Sequence, residues 1–173
     1  MNGTVLDILI YVFDRYMLDE TPDVPERDAL ARDLESAGFT EANVERALDW
    51  LADLAGERNR PQLTVRGTDG NTVGESANSA SPAAAMRIYT AQEMTRLTAD
   101  CRGLLLSLEH AGILSPQQRE IVIERLLALD AEDFDLEQVK WVVLMVLSSQ
   151  PGQEQACARM EDLVFDSPEA VAH

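Results

Sequence analysis

Histidine, cysteine and lysine are nearly missing from this sequence. Its 173 residues include two histidines, two cysteines and a single lysine, Lys140. The cysteines, Cys101 and Cys157, are far apart and have no metal-ligand spacing, so they read as reduced thiols rather than a zinc site or a disulfide framework. His110 is the one internal histidine. It falls near the C-terminus of a predicted helix, where an imidazolium is favoured by the dipole. No nucleophile elbow, phosphate-cradling glycine loop or metal-binding motif is present. Aromatic residues make up only 5% of the chain, too few for a platform that stacks single-stranded nucleic acid. No run approaches the roughly 18 apolar residues of a membrane span. The stretch Met1-Asn2-Gly3-Thr4-Val5-Leu6-Asp7 carries no basic segment of a secretory signal, and the expected compartment is the cytoplasm.

Positive charge is scarce as well. Lys and Arg total 14 against 31 Asp and Glu, a formal charge of −17. Nucleic-acid affinity comes largely from cation clusters that displace counterions from phosphates, and a surface of this sign repels them. Direct nucleic-acid binding is therefore not expected. The electrostatically natural partner is a protein with a basic surface. The hydrophobic fraction, 46%, is that of a folded globular chain.

Hydrophobic periodicity predicts helices throughout. The first runs from Thr4 to about Leu18 with a wide apolar face of Val5, Leu6, Leu9, Val12, Phe13, Tyr16 and Met17. The second starts near Pro25, in the first turn where a missing N–H costs nothing, carries Leu30 and Leu34 inward, and stops at Gly38. The third is capped by Thr40 and ends at Gly56. Residues 57–85 are rich in Gly, Ser, Asn and Thr without a hydrophobic period, and read as a flexible linker. Helical order returns at Met86. Thr90 and Glu93 form a capping box for a helix running to about His110 and stopping at Gly112. Ser115, Pro116 and Gln118 start the next helix. Asp135 starts another, which holds the uninterrupted apolar run from Trp141 to Leu147. Such a run belongs in a core or in a subunit interface. After Pro151 and Gly152 a last helix carries Ala156, Met160, Leu163 and Val164. The predicted fold is all-α: two small modules, of about three and four helices, at 1–56 and 86–166, joined by the linker and followed by a tail at 167–173.

Two segments resemble each other. Leu34-Glu35-Ser36-Ala37-Gly38-Phe39 matches Leu108-Glu109-His110-Ala111-Gly112-Ile113, and the capped helices that follow align through Leu48 with Ile123, Leu51 with Leu126 and Leu54 with Leu129. Any helical hairpin uses such parts; a common ancestor of the two halves is the alternative. The first copy also resembles three-helix binding modules of the ubiquitin-associated and RecX-repeat type. In those modules the Gly-Phe turn is often a protein-binding spot, while a plug between helices is the plainer reading of Phe39.

No cofactor or metal is expected. Asp130, Glu132, Asp133 and Asp135 cluster in one loop, yet the loop lacks the glycine and the alternating oxygens that calcium needs. It reads as a solvated acidic loop ending in a helix cap. Cys101 precedes Arg102, a cation that lowers a neighbouring thiol pKa. Its periodicity with Leu104, Leu105 and Leu108 instead makes it a buried structural thiol.

Taken as a set, the residues identify the chain as similar to the bacterial Smg family. The amino terminus carries Leu6-Asp7-Ile8-Leu9 with Tyr11-Val12-Phe13. Then come Leu34-Glu35 with Ala37-Gly38-Phe39, and Ala47-Leu48-Asp49-Trp50-Leu51. The second half has Met86-Arg87-Ile88-Tyr89-Thr90, Cys101-Arg102-Gly103 and Arg119-Glu120 with Val122-Ile123-Glu124-Arg125. It continues through Lys140-Trp141-Val142-Val143-Leu144-Met145-Val146-Leu147, Pro151-Gly152 and Met160-Glu161-Asp162-Leu163. Ala91 departs from the pattern, where proline is usual, and is equally helix-compatible. The resemblance implies no catalytic residues and no defined function. It brings only a gene neighbourhood with a DNA-uptake processing protein and a type I topoisomerase, which is an association. The resulting expectation is a non-enzymatic adaptor or regulator. Its candidate contact residues are Gly38 and Phe39, the acidic residues Asp130, Glu132, Asp133 and Asp135, and Trp141. An acidic mimic of nucleic acid and a homo-oligomer built on the apolar helix are the alternatives.

Overall fold

The computed structural model describes residues 3–17, 25–58 and 87–165, and every described segment is built from helices. The linker predicted at 57–85 and the tail at 167–173 lie almost wholly outside these residues. Helix α1 (Val5–Val12) begins at Thr4, whose hydroxyl accepts from the Asp7 N–H while the Asp7 carboxylate accepts from the Thr4 N–H. The same reciprocal box starts α4 (Ala91–Arg96) with Thr90 and Glu93, α6 (Pro116–Leu127) with Ser115 and Gln118, and α7 (Leu136–Ser148) with Asp135 and Gln138. Each box satisfies two N–H groups that a helix start leaves unpaired.

Helices α2 (Arg27–Ser36) and α5 (Ala99–His110) end alike. Gly38 and Gly112 take φ of 100° and 72°, in the left-handed region where a side chain is strained. The Phe39 N–H then reaches back to the Leu34 carbonyl, and the Ile113 N–H to that of Leu108. These are paired Schellman turns, so the repeat seen in sequence is also a repeat of hydrogen bonding.

Four expectations need correction. The first helix does reach Met17, but Phe13–Met17 is a wider π-helical turn. Pro25 precedes the N-cap residue Glu26 rather than standing inside α2. Helix α3 (Glu41–Arg58) passes through Gly56 to Arg58. An isolated glycine costs a helix only about 1 kcal/mol and stops it only where the chain turns left-handed. Finally, the helix predicted from Thr90 to His110 is two helices, so the second half holds five described helices rather than four. Leu97 is extended, Thr98 recaps the chain by accepting from the Cys101 N–H, and Leu97 pairs as a bridge with Phe134.

Helix α7 is the centre of the second half. Val139 and every residue from Val142 to Leu147 are buried, packed by α5, α6 and α8 (Glu154–Phe165). The apolar run that suggested a subunit interface is thus covered by its own chain. In the first half α3 receives α1 and α2. The buried side chains of both halves form one continuous cluster.

The closest packing of element on element lies within each half, and side chains span the seam between them. The buried Trp50 donates its indole Nε1–H to the Arg125 carbonyl at 2.9 Å. Arg46 meets Asp130 at 2.5 Å, and the Phe13 ring stands edge-on to Trp141 with centroids 6.2 Å apart. Trp50→Phe keeps an aromatic but smaller side chain and leaves a buried carbonyl unpaired. It is expected to cost about 1 to 2 kcal/mol, read as a lower urea midpoint. An unchanged midpoint would mean that the indole bond contributes nothing.

Candidate protein-contact residues and a cavity

The three candidate contact elements sit in different surroundings. Gly38 is exposed, while Phe39 is half-buried and works as a plug. The Phe39 ring stands edge-on to Tyr11 at 5.8 Å, and its Cε1 lies 2.5 Å from where a side-chain carbon at Gly3 would be. The amide of Asn43 donates to the Gly3 carbonyl at 2.8 Å. Only a glycine lets the start of α1 come this close to the ring. The structure therefore gives Phe39 a packing role, the plainer of its two readings in sequence.

The acidic loop divides its labour. Asp130 pairs with Arg46, and Asp135 caps α7. Glu132 and Asp133 are exposed and carry no ion pair among the described residues. Beneath the loop lies Arg96, which sequence reasoning missed. Its guanidinium donates to the carbonyls of Leu127 (2.7 Å), Leu129 and Ala131 (2.7 and 3.0 Å). It also lies 5.5 Å from the centre of the Phe134 ring. The Phe134 N–H completes the junction by donating to the Arg96 carbonyl. The carbonyls at the end of α6 are orphaned by helix geometry, and a fork of N–H donors is the group that can satisfy several at once. No local pattern announces this, because the partners are 31 to 35 positions away.

Trp141 is half-buried between Phe13 and the exposed Phe165, the latter edge-on at 5.6 Å. Cys101 is fully buried, its thiol donating to the Phe134 carbonyl at 3.2 Å. The guanidinium of Arg102 lies 5.6 Å from the centre of the Tyr89 ring. A thiol so enclosed has no access to substrate.

The cations of the second half are mostly inside. The side chains of Arg87, Arg119, Arg125 and Lys140 keep only 16%, 13%, 8% and 16% of their accessible surface. Arg87 holds Glu93 with two bonds, at 2.7 and 3.1 Å, and Glu120 with two more at 2.5 and 2.9 Å. Arg119 holds Glu109 at 2.5 Å and touches Glu120 at 3.2 Å. The hydrogen bonds from Arg87 pull the Glu93 carboxyl down to about 2 and also lower that of Glu120. Exposed carboxylates meanwhile stand along the chain, among them Asp7, Asp28, Glu41, Asp100, Glu124, Glu132 and Glu154.

A cavity of about 270 Å³ opens where the end of α7 meets α8. Phe13, Ser148, Gln150, Glu154, Cys157 and Glu161 are among its walls. Among the described residues no cluster of His, Cys, Asp and Glu has a metal-holding arrangement, and no helix is long and apolar enough to cross a membrane.

The family described as "Protein of unknown function (DUF494)" matches residues 5–173. A Protein Smg homolog of Alkalilimnicola ehrlichii is 44% identical over 173 residues, covering all of both chains. That of Nitrosococcus oceani is 44% identical over 177 aligned positions, again covering all of both. That of Thioalkalivibrio sulfidiphilus is 41% identical over 173 residues. No solved structure matches.

Proposed function

Because the chain belongs to the Smg (DUF494) family, whose description assigns no function, we propose that it is a non-enzymatic adaptor or regulator that binds a protein with a basic surface. One observation carries this reading: in the second half Arg87, Arg96, Arg119 and Arg125 turn inward, while exposed carboxylates stand all along the described chain. Arg87, Arg119 and Arg125 are held inside by ion pairs, and Arg96 by backbone carbonyls. The formal charge of −17 gives the protein a negative outward field. Such a field speeds encounter with a basic protein and weakens with salt. The gene neighbourhood implied by the Smg resemblance makes DNA processing or type I topoisomerase function candidate processes, and the cytoplasm is the compartment we propose. Exposed carboxylates on α1, α2, α3, α5, α6 and α8 favour this reading over a mimic of nucleic acid, which requires them along one strip.

Among the candidate contacts, Glu132 and Asp133 have no structural duty to compromise. Phe39, Asp130 and Asp135 do. Capture of partners by tagged protein from a native bacterial lysate, at low and at high salt, tests the reading. A specific basic partner lost at high salt is expected. The charge reversal Glu132→Lys with Asp133→Lys is expected to reduce its capture several-fold without moving the melting temperature. No specific partner at either salt would sink the adaptor reading, and displacement of the partner by DNA would revive the mimic.

A further inference from the structure

The described cations of the second half, with one exception, have oxygens to hold. Arg87, Arg119, Arg125 and Lys140 meet carboxylates, and Arg96 and Arg159 meet backbone carbonyls. Arg102, on α5, has neither among the described residues. Its half-buried guanidinium lies against the Tyr89 ring. The Nε is enclosed without a hydrogen-bond partner, and the two Nη groups are not enclosed. Buried donors are ordinarily satisfied. An arginine held in place that pairs with none of the described carboxylates, in a chain with 31 acidic residues, is therefore a donor set left open.

The stack is fixed by a second arginine. Arg87 lies 4.6 Å from the centre of the Tyr89 ring and is itself held by Glu93 and Glu120. Arg102 is thus pre-organised and has less side-chain freedom to lose on binding. The Tyr89 hydroxyl is a second open donor, since it makes no hydrogen bond among the described residues and is not enclosed. Burial raises the Tyr89 phenol, so it keeps its proton, and the charges acting on it are those of Arg87, Arg119, Glu120 and Arg102. Three of these four are cations, against the sign of the chain as a whole. The surface alongside is open and partly apolar. Leu106, one turn beyond Arg102 on the same helix, is 47% exposed. Gly103 has no atom within 4 Å of where a side-chain carbon would stand.

We propose that Arg102 and Tyr89 are a receptor for a carboxylate of a protein partner, an Asp or Glu side chain with an apolar neighbour. The two Nη groups of Arg102 take the carboxylate as a fork, the Tyr89 hydroxyl donates beside them, and Leu106 receives the apolar neighbour. A phosphate dianion suits the fork in shape. It brings more negative charge into the field of a −17 chain and makes no use of the apolar margin. The site goes beyond the adaptor reading, in which the protein's own carboxylates meet a basic surface. One contact of the opposite sign fixes how a partner is oriented.

The test follows the Arg102 Nε–H and backbone amide NMR signals of the isotopically labelled full-length protein. The probes are a capped Leu-Glu-Leu tripeptide, its Leu-Gln-Leu counterpart and inorganic phosphate. Saturable shifts at the Arg102 Nε–H and around residues 88–89 and 102–106 are expected with the glutamate peptide. The glutamine peptide should bind weaker by roughly tenfold or more. Arg102→Gln should cost the glutamate peptide a similar factor while amides elsewhere stay in place. Tyr89→Phe keeps the ring under the guanidinium and should weaken binding by about threefold; it also serves if the Arg102 variant does not fold. Absence of saturable shifts with the glutamate peptide would overturn the proposal. So would equal binding of the glutamine peptide, undiminished binding by either variant, or a preference for phosphate. Failure here leaves the adaptor reading standing, because capture of a basic partner turns on the protein's own carboxylates.

Discussion

Replacing Arg96 with alanine is expected to cost about 3 kcal/mol of stability. The guanidinium satisfies the carbonyls of Leu127, Leu129 and Ala131 and rests against Phe134. Hydrogen bonds to a charged donor contribute about 1.5 to 3 kcal/mol each, and those to half-exposed carbonyls lie at the low end. A cation at a helix C-terminus adds up to about 2 kcal/mol. The bonds are not additive, because water replaces some of them, so the sum is capped well below the total. Arg96→Lys should recover less than half of the loss. An ammonium is a point donor and cannot fork across three carbonyls. Urea denaturation of both variants measures this directly. A loss under 1 kcal/mol for the alanine variant would show that the junction holds without its clamp.

Acid is expected to unfold the second half through Arg87 and its carboxylates. The Glu93 carboxyl lies at about 2 in the fold against an ordinary 4.5, and that of Glu120 is lowered too. A carboxylate whose folded pKa is depressed binds its proton more readily in the unfolded chain. Its contribution is complete above the ordinary value and is lost as pH falls through the folded one. Stability should accordingly decline from about pH 5 to about pH 2. The Glu93 share is about 3 kcal/mol; with only 11% of its side-chain surface exposed, solvent screening takes little of it. Glu93→Gln should lower the plateau near neutral pH by about that amount and flatten the acid slope. A slope unchanged in the variant would remove Glu93 as its cause and leave Glu120.

What could be read from the sequence was local. Thr4, Thr90, Ser115 and Asp135 announce helix starts because a cap and its partner lie three residues apart. Gly38 and Gly112 announce stops because only glycine relaxes into the turn that follows. Val142 to Leu147 announces a buried helix by leaving no polar face. The break at Leu97 was hidden, since apolar spacing continues across it. Thr98, a capping residue standing before Cys101 inside an apparent helix, was the one available signal. The arginines were the larger omission. Arg87, Arg96, Arg119 and Arg125 look like surface residues in sequence, and only the fold reveals that they bind carbonyls and carboxylates inside. Of the candidate contacts, the sequence found Phe39, Asp130 and Trp141 as unusual residues. It could not name the neighbour that occupies each: Gly3 and Tyr11, Arg46, and Phe13 with Phe165.

The chain has two tryptophans, and both stand where its halves meet, Trp50 on the Arg125 carbonyl and Trp141 on Phe13. Its ultraviolet emission is thus the light of a joint and not of a bulk. Fluorescence and circular dichroism will answer different questions about this molecule, the first whether the halves are docked and the second whether the helices survive. Any partner, salt or acid that parts the halves is expected to show in the emission colour, whether or not the helices melt with it.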